Sequence, residues 1–175
     1  RNPRPLNVTD AANNNTPGLG QKADIVRNAI DLAHVIGVKV PKVAILAAVE
    51  TVNPIMQATL DAAALCKMAD RGQITGGLLD GPLAFDNAVS PEAARTKGIV
   101  SAVAGQADIL VVPDLESGNM LAKQLVYLGD ATSAGIVLGA KVPVILTSRA
   151  DPDISRIASC AIALLLAQHY RTSPP

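Results

Sequence analysis

The sequence predicts an α/β fold in which a mostly parallel sheet lies between two layers of helices. Strand-like and helix-like segments alternate along the 175 residues. The strand-like segments, such as 42–48 and 108–112, are continuous apolar runs instead of alternating apolar and polar positions. A strand that is apolar on both sides is buried on both sides, as in a parallel sheet covered by helices.

Each predicted element rests on a local pattern. Helix 22–37 has apolar residues three and four apart and ends at Gly37. Ser90 and Pro91 are typical N-cap and first-turn residues, so a helix begins there. The other predicted helices are 54–72, 117–129 and 153–169. The predicted strands are 5–9, 42–48, 74–79, 108–112, 134–139 and 143–147.

Composition excludes several classes of function. Fifteen basic and fifteen acidic residues cancel, which disfavours a nucleic-acid or anionic-membrane binder. The chain has three aromatic residues, too few for a base-stacking surface. No apolar run reaches the roughly 20 residues of a membrane span, and we expect a cytoplasmic protein. Charged residues are 17%, below the usual roughly 25%, so we expect a homodimer that covers apolar surface.

Cysteine and histidine carry no predicted chemistry. Cys66 and Cys160 lie within predicted helices, and we expect both in the core, because buried cysteines behave as small apolar residues. No cluster of Cys and His has the spacing of zinc ligands. The chain begins with Arg1 instead of Met, and we expect it to be a piece of a longer protein.

Polar residues follow five of the predicted strands. Ligands of an open parallel sheet bind beyond the carboxyl ends of its strands, so these residues are candidates for a binding site. Helix capping by the acids is the alternative for each of them. They are Asp10, then Glu50, Thr51 and Asn53, then 80–86, then 113–119, and finally Ser148, Arg149 and Asp151.

Two of these positions suggest anion binding. Gly118 lies near the start of a predicted helix, where a missing side chain lets an anion approach free backbone N–H groups, although neighbouring acids would repel it. Arg149 follows a strand that we expect to be buried. Its guanidinium suits bidentate binding of phosphate or carboxylate. A salt bridge to Asp151 or Asp153 is the alternative for Arg149.

Four segments together resemble the phosphate acetyltransferase and phosphate butyryltransferase family, and their order and spacing also match it. Two further segments resemble a subgroup fused behind a hotdog-type enoyl-CoA hydratase domain. The first four are 79–88, 107–119, 135–144 and 146–151, and the other two are 49–54 and 68–72. The resemblance covers nearly the whole chain.

The resemblance implies a three-layer fold like that of isocitrate and isopropylmalate dehydrogenases. Family members are roughly twice as long, with an acyl-CoA cleft between two α/β domains. Residues 1–147 then form the second domain, and residues 148–175 pack back on a first domain that this chain lacks. The implied reaction is direct transfer of an acetyl or short-chain acyl group between coenzyme A and phosphate. Coenzyme A is then a substrate, and neither a further cofactor nor a metal is expected.

The resemblance also implies catalytic roles for three residues near the end of the last matching segment. Arg149 matches the arginine that binds phosphate, and Ser148 matches the serine near the tetrahedral centre. The acetyltransferase pattern has an Asp six residues after this arginine, where this chain has Ser155. We therefore take Asp151 as the base, with Asp153 as the alternative.

A second group is expected to line the substrate cleft. Asn119 and Lys123 match a helix of the family, and Asp86 and Gly118 lie in the matching segments. Two other functions remain open. One is a non-catalytic module for assembly or ligand sensing, as at the end of some malic enzymes. The other is a metal-dependent hydroxyacid dehydrogenase of the isopropylmalate type, whose metal-binding carboxylates we cannot place.

Overall fold

A four-stranded parallel sheet forms the centre of the molecule. The computed structural model describes residues 5–173. The strands are β1 (Asn7–Thr9), β2 (Lys42–Leu46), β3 (Leu78–Leu83) and β4 (Ile109–Val111). They lie in the order β1-β4-β2-β3, and every pairing is parallel. The predicted α/β class with a mostly parallel sheet is confirmed.

Within residues 5–173, six helices connect and flank the strands. They are α1 (Leu19–Val35), α2 (Gln57–Asp70), α3 (Phe85–Val89), α4 (Pro91–Thr96), α5 (Leu115–Tyr127) and α6 (Asp153–Tyr170). The predicted start of α4 is confirmed, because the Ser90 hydroxyl accepts the Ala93 N–H at 3.3 Å. None of these helices combines the length and apolar character that a bilayer crossing needs, within the described residues.

The sheet separates two apolar cores because alternate residues of each strand point to opposite faces. In β2, Val43 and Ile45 join one core with α1 and α2. Ala44 and Leu46 join the other core with α3 and α4. The strand β4 alternates in the same way. Burial on both faces explains why the sequence of these strands is apolar without interruption.

The last two predicted strands are not part of this sheet. β5 (Ile136–Val137) and β6 (Val144–Ile145) pair with each other as an antiparallel ribbon. A parallel crossover needs about a dozen or more residues, and only residues 138–143 connect this pair. The expectation of a buried strand at 143–147 is therefore wrong. Val144 and Ile145 are 43% and 44% exposed.

The third strand begins four residues later than predicted, at Leu78. Ile74 is buried in the first core, but it belongs to the turn that precedes the strand. A Cβ on Gly77 would lie 2.9 Å from the Pro41 carbonyl oxygen, so this turn packs directly on backbone. Asp80 consequently lies within β3, where its Oδ1 accepts the Gly81 N–H at 2.8 Å.

The two cysteines differ in burial. Cys66 packs against the first core, and burial, with Asp80 and Asp70 nearby, raises the pKa of its thiol to about 12. Cys160 is exposed, so the core position predicted for it is wrong. The buried face of α6 carries Ser155, Ser159 and Leu166. Cys160 follows Ser159 directly in the chain and lies outside that buried face.

Candidate functional site

The carboxyl ends of the four parallel strands lie along one edge of the sheet, and each is followed by an acid. Asp10 follows β1, Asp114 follows β4, Glu50 follows β2 and Asp86 follows β3. Four of the five predicted strand-end groups therefore share one edge, where ligands of such sheets bind. The fifth group, residues 148–151, follows the separate ribbon.

Two of the edge acids stabilise local backbone. Asp10 Oδ1 accepts the N–H groups of Ala12 at 3.2 Å and Asn13 at 3.0 Å. Asp114 is the N-cap of α5, and its Oδ1 accepts both the N–H and the hydroxyl of Ser117 at 2.8 Å. The capping alternative is thus the one observed at these positions, as expected for acids at loop and helix starts.

The other two edge acids share one cation. Lys97 Nζ lies 3.1 Å from Asp86 Oδ2 and 3.6 Å from Glu50 Oε2. The hydrogen bond from Lys97 lowers the pKa of Asp86, and the same bond raises the pKa of Lys97. Asp86 therefore carries a carboxylate at neutral pH. Asp86 and Lys97 border an open pocket of about 340 Å³.

Gly118 allows α5 to approach the first strand closely. A Cβ on Gly118 would lie 2.7 Å from Val112 Cγ2 and 2.8 Å from the Asp10 carbonyl oxygen. The Gly118 N–H donates to the Asp114 carbonyl at 3.1 Å. The free N–H expected at Gly118 is therefore not found, because α5 begins at Leu115 and position 118 already makes a helical hydrogen bond.

Asn119 and Lys123 lie one turn apart on α5. The Asn119 side chain donates from Nδ2 to the Ala11 carbonyl at 3.2 Å. Lys123 is exposed. The helix thus holds the loop after β1 through Asn119 and presents a cation one turn further along.

Ser148, Arg149 and Asp151 come together in one exposed turn. The Ser148 N–H donates to Asp151 Oδ2 at 2.6 Å, and the Asp151 N–H donates to the Ser148 carbonyl at 3.1 Å. The Arg149 carbonyl accepts from the Arg156 guanidinium at 3.4 Å. Within residues 5–173 the Arg149 guanidinium makes no ion pair, so the alternative salt bridge to Asp151 or Asp153 is not observed.

The predicted site residues thus form three groups: the turn 148–151, the α5 residues with the loop after β1, and Asp86 with its partners. No hydrogen bond or ion pair recorded between residues 5 and 173 joins one group to another. The same part of the chain contains no cluster of three metal-ligating side chains. Asp153 is exposed in the first turn of α6, and Ser155 is buried behind it.

Sequence reasoning missed two contacts near the edge. One is Lys97, which pairs with Asp86. The other is a buried ion pair between Lys22 Nζ and Asp61 Oδ2 at 2.7 Å, with Gln57 Nε2 donating to Asp61 Oδ1 at 2.8 Å. The partners are 11 and 39 residues apart in the chain, so the three- and four-residue spacing of a single helix does not signal either contact. A polar residue on the apolar face of a predicted helix, as at Lys22, is the only available hint.

Comparison with known proteins gives consistent matches over this chain. A model of the family described as phosphate acetyl/butaryl transferase matches residues 2–164. The chain is 63% identical over 168 residues to a phosphate acetyltransferase of Rhizobium meliloti, covering 96% of this chain and 53% of that protein. It is 64% identical over 170 residues to one of Rickettsia felis, covering 97% and 49%.

A solved structure matches as well. A branched-chain phosphotransacylase from Enterococcus faecalis V583 superposes with a TM-score of 0.84 at 38% identity, covering 91% of this chain and 57% of that one. The chain spans about half the length of the curated relatives it matches. From the family match over 2–164 and these identities, we conclude that the chain belongs to the phosphate acetyl/butaryl transferase family.

Proposed function

We propose that this chain forms part of an enzyme that moves an acetyl or short-chain acyl group directly between coenzyme A and inorganic phosphate. Family membership supports the reaction class, and two relatives carry the name phosphate acetyltransferase. The name of the matching structure, a branched-chain phosphotransacylase, extends the acyl groups to branched chains. Coenzyme A takes part as a substrate in this reaction, and no further cofactor or metal is proposed.

The observation that carries the proposal is the exposed, unpaired guanidinium of Arg149 within the described part of the chain. The Ser148–Asp151 hydrogen bonds fix the turn on which it sits. A guanidinium presents two parallel N–H donors that match two phosphate oxygens. Such a charge-assisted contact contributes about 1.5–3 kcal/mol.

Asp151 is the proposed base. Its Oδ2 accepts the Ser148 N–H, and no hydrogen bond to its Oδ1 occurs in the described part of the chain. A thiol has a pKa near 8.5, so the thiol of coenzyme A is mostly protonated at neutral pH. A carboxylate that takes this proton accelerates the reaction roughly 10²- to 10⁴-fold. Asp153, at the start of α6, is the second candidate.

The bond changes balance without a covalent enzyme intermediate. The carboxylate takes the thiol proton, the thiolate attacks the carbonyl carbon of the acyl phosphate, and the C–O bond to phosphate breaks as phosphate leaves on Arg149. The reverse direction uses the same groups. We assign Ser148 to the tetrahedral centre and Asn119, Lys123, Asp86 and Gly118 to the substrate cleft.

Several finer features complete the proposal. The sheet has apolar cores on both faces, which supports the three-layer arrangement of the isocitrate and isopropylmalate dehydrogenases. We propose that residues 1–147 belong to one domain and that residues 148–175 pack on another domain of the whole protein; residues 1–4 and 174–175 of these ranges lie outside the described residues. We propose that the whole protein is a cytoplasmic homodimer. We also propose that a hydratase domain is fused to this chain in the parent protein.

The substitution Arg149→Lys in the whole protein tests the function. Lysine keeps the charge but lacks the two-donor geometry, so kcat/KM should fall at least about tenfold, with the KM for phosphate raised more than that for coenzyme A. Steady-state kinetics in both directions measure this. Arg171→Lys, an exposed arginine after α6, is the matched control and should leave both constants unchanged. Unchanged phosphate dependence in Arg149→Lys would refute the assignment.

The alternative function, a non-catalytic module for assembly or ligand sensing, has one observation in its favour. The helix α6 exposes large apolar side chains at Ile157, Leu164 and Leu165, which are 63%, 72% and 50% exposed. A surface of this kind is typical of an interaction site. Steady-state kinetics of the whole protein, combined with a measurement of acyl-CoA binding, separate the two functions. Binding of acyl-CoA without turnover would support the non-catalytic module.

A further inference from the structure

We propose that the buried Lys22–Asp61 ion pair is a positioning pair for the substrate cleft. It sets the spacing between the β1–α1 loop (residues 10–18) and the β2–α2 loop (residues 47–56), which lie at the carboxyl edge of the sheet on either side of strand β4. The inference rests on the proposed function, because the cleft that these loops border is the one assigned there.

The pair is well satisfied and almost fully enclosed. Lys22 Nζ lies 2.7 Å from Asp61 Oδ2, and the two side chains are 7% and 9% exposed. Gln57 Nε2 donates to Asp61 Oδ1 at 2.8 Å, so both carboxylate oxygens have a donor. Removing two charges from water is costly, and apolar residues of similar volume often stabilise a fold as well or better. Stability alone therefore does not account for the pair, whereas a fixed geometry between α1 and α2 does.

Each partner lies in the helix that follows one of the two loops. Lys22 is in the first turn of α1, and its N–H donates to the carbonyl of Gly18 at the end of the β1–α1 loop, at 2.9 Å. Asp61 lies on α2, close in the chain to Thr59, which holds the β2–α2 loop. The fully buried Thr59 hydroxyl accepts the Asn53 N–H at 2.9 Å and donates to loop carbonyls, which ties the β2–α2 loop to the helix.

Both loops touch candidate site residues. The β1–α1 loop packs on Gly118, and its Ala11 carbonyl accepts from Asn119 at 3.2 Å. The β2–α2 loop carries Glu50, whose Oε2 lies 3.6 Å from Lys97 Nζ. Lys97 in turn pairs with Asp86. A shift of α1 against α2 would therefore change the separation of the Asn119 and Asp86 groups.

The test is the double variant Lys22→Met plus Asp61→Asn in the whole protein. A single change leaves one buried charge unpaired and destabilises the fold, whereas the double change removes both charges. We expect the double variant to keep its Tm within about 5 °C. Its KM for acyl-CoA should rise about fivefold or more, with kcat changed less than about twofold, because a displaced cleft weakens binding.

The matched control is Asp24→Asn, which breaks the exposed 2.7 Å pair with Arg27 on the same helix and should change neither constant. Hydrogen exchange provides a readout that needs no activity. Amides of residues 10–18 and 47–56 should exchange faster in the double variant, while those of β4 should not. Unchanged exchange in both loops overturns the proposal, and faster exchange with unchanged kinetics overturns its link to the cleft.

The exchange readout also separates this inference from the function on which it rests. A wild-type protein without turnover refutes the proposed function, while faster exchange confined to the two loops still supports the positioning pair. Where the double variant does not fold, Lys22→Arg decides. It keeps the charge but alters the separation of the helices, so faster loop exchange supports the proposal and unchanged exchange overturns it.

Discussion

The four-stranded sheet and the C-terminal ribbon have similar apolar sequences but opposite surroundings. Ile109 in β4 is completely buried, whereas Ile145 in β6 is 44% exposed. The sheet has helices and an apolar core on both faces. The ribbon is contacted chiefly by α6. An apolar sequence therefore predicts a strand in both regions. Whether the side chains of that strand are buried depends on how many of its faces are covered by helices.

The polar groups of the two regions differ in the same way. At the sheet edge, Asp10 and Asp114 are engaged by backbone N–H groups. In the C-terminal region, α6 begins without a side-chain cap hydrogen bond, and Arg149 has no ionic partner among residues 5–173. These two acids at the sheet edge are satisfied by local backbone, whereas the C-terminal region leaves groups accessible to a ligand or another domain.

The largest expected difference concerns stability. Ile109→Ala removes a side chain from the first core and should lower the free energy of unfolding by about 2–5 kcal/mol, since a cavity remains. Ile145→Ala, on the half-exposed ribbon, should lower it by less than about 1 kcal/mol. Urea unfolding of both variants beside the parent protein measures the contrast. Equal losses would mean that the ribbon is covered as completely as the sheet.

The two cysteines provide a second contrast between the regions. The raised pKa of Cys66, about 12, keeps its thiol protonated at every pH well below that value, and only the thiolate reacts with iodoacetamide. Cys160 is exposed on α6. At pH 8 we expect alkylation of Cys66 to be at least about tenfold slower than that of Cys160. Peptide mass spectrometry at successive times measures the two rates. Equal rates in the native state would contradict the burial of Cys66.

The smallest expected difference concerns helix caps. Asp114→Ala removes the acceptor for the Ser117 N–H and hydroxyl and should destabilise the protein by about 0.5–2 kcal/mol. Asp153→Ala removes only a first-turn acid from α6, which contributes about 0.3–1 kcal/mol. Thermal unfolding at low and high salt separates the two, because the dipole effect at Asp153 should fade with salt more completely than the hydrogen bonds of Asp114. A larger loss for Asp153 would refute this order.

The sequence predicted the elements whose signals are local. The apolar run 42–48 contains β2, and the long helix at 153–169 is α6 to within one residue. Ser90 caps α4 as expected. The short helix α3 was missed, because five residues are too few to show a helical apolar period. The residues of the turn 148–151 were also predicted as a group, from a motif whose members are adjacent in the chain.

Sequence alone therefore determined the α/β class, the strand-end positions of the acids and the family. Only the tertiary structure decided that the strands at 136–137 and 144–145 form a separate ribbon, and that the Gly118 N–H is not free. It also revealed the Lys22–Asp61 and Asp86–Lys97 pairs. The physical reason is range: apolar periods and caps act over a few residues, whereas burial and ion pairs depend on which distant segments the fold brings into contact.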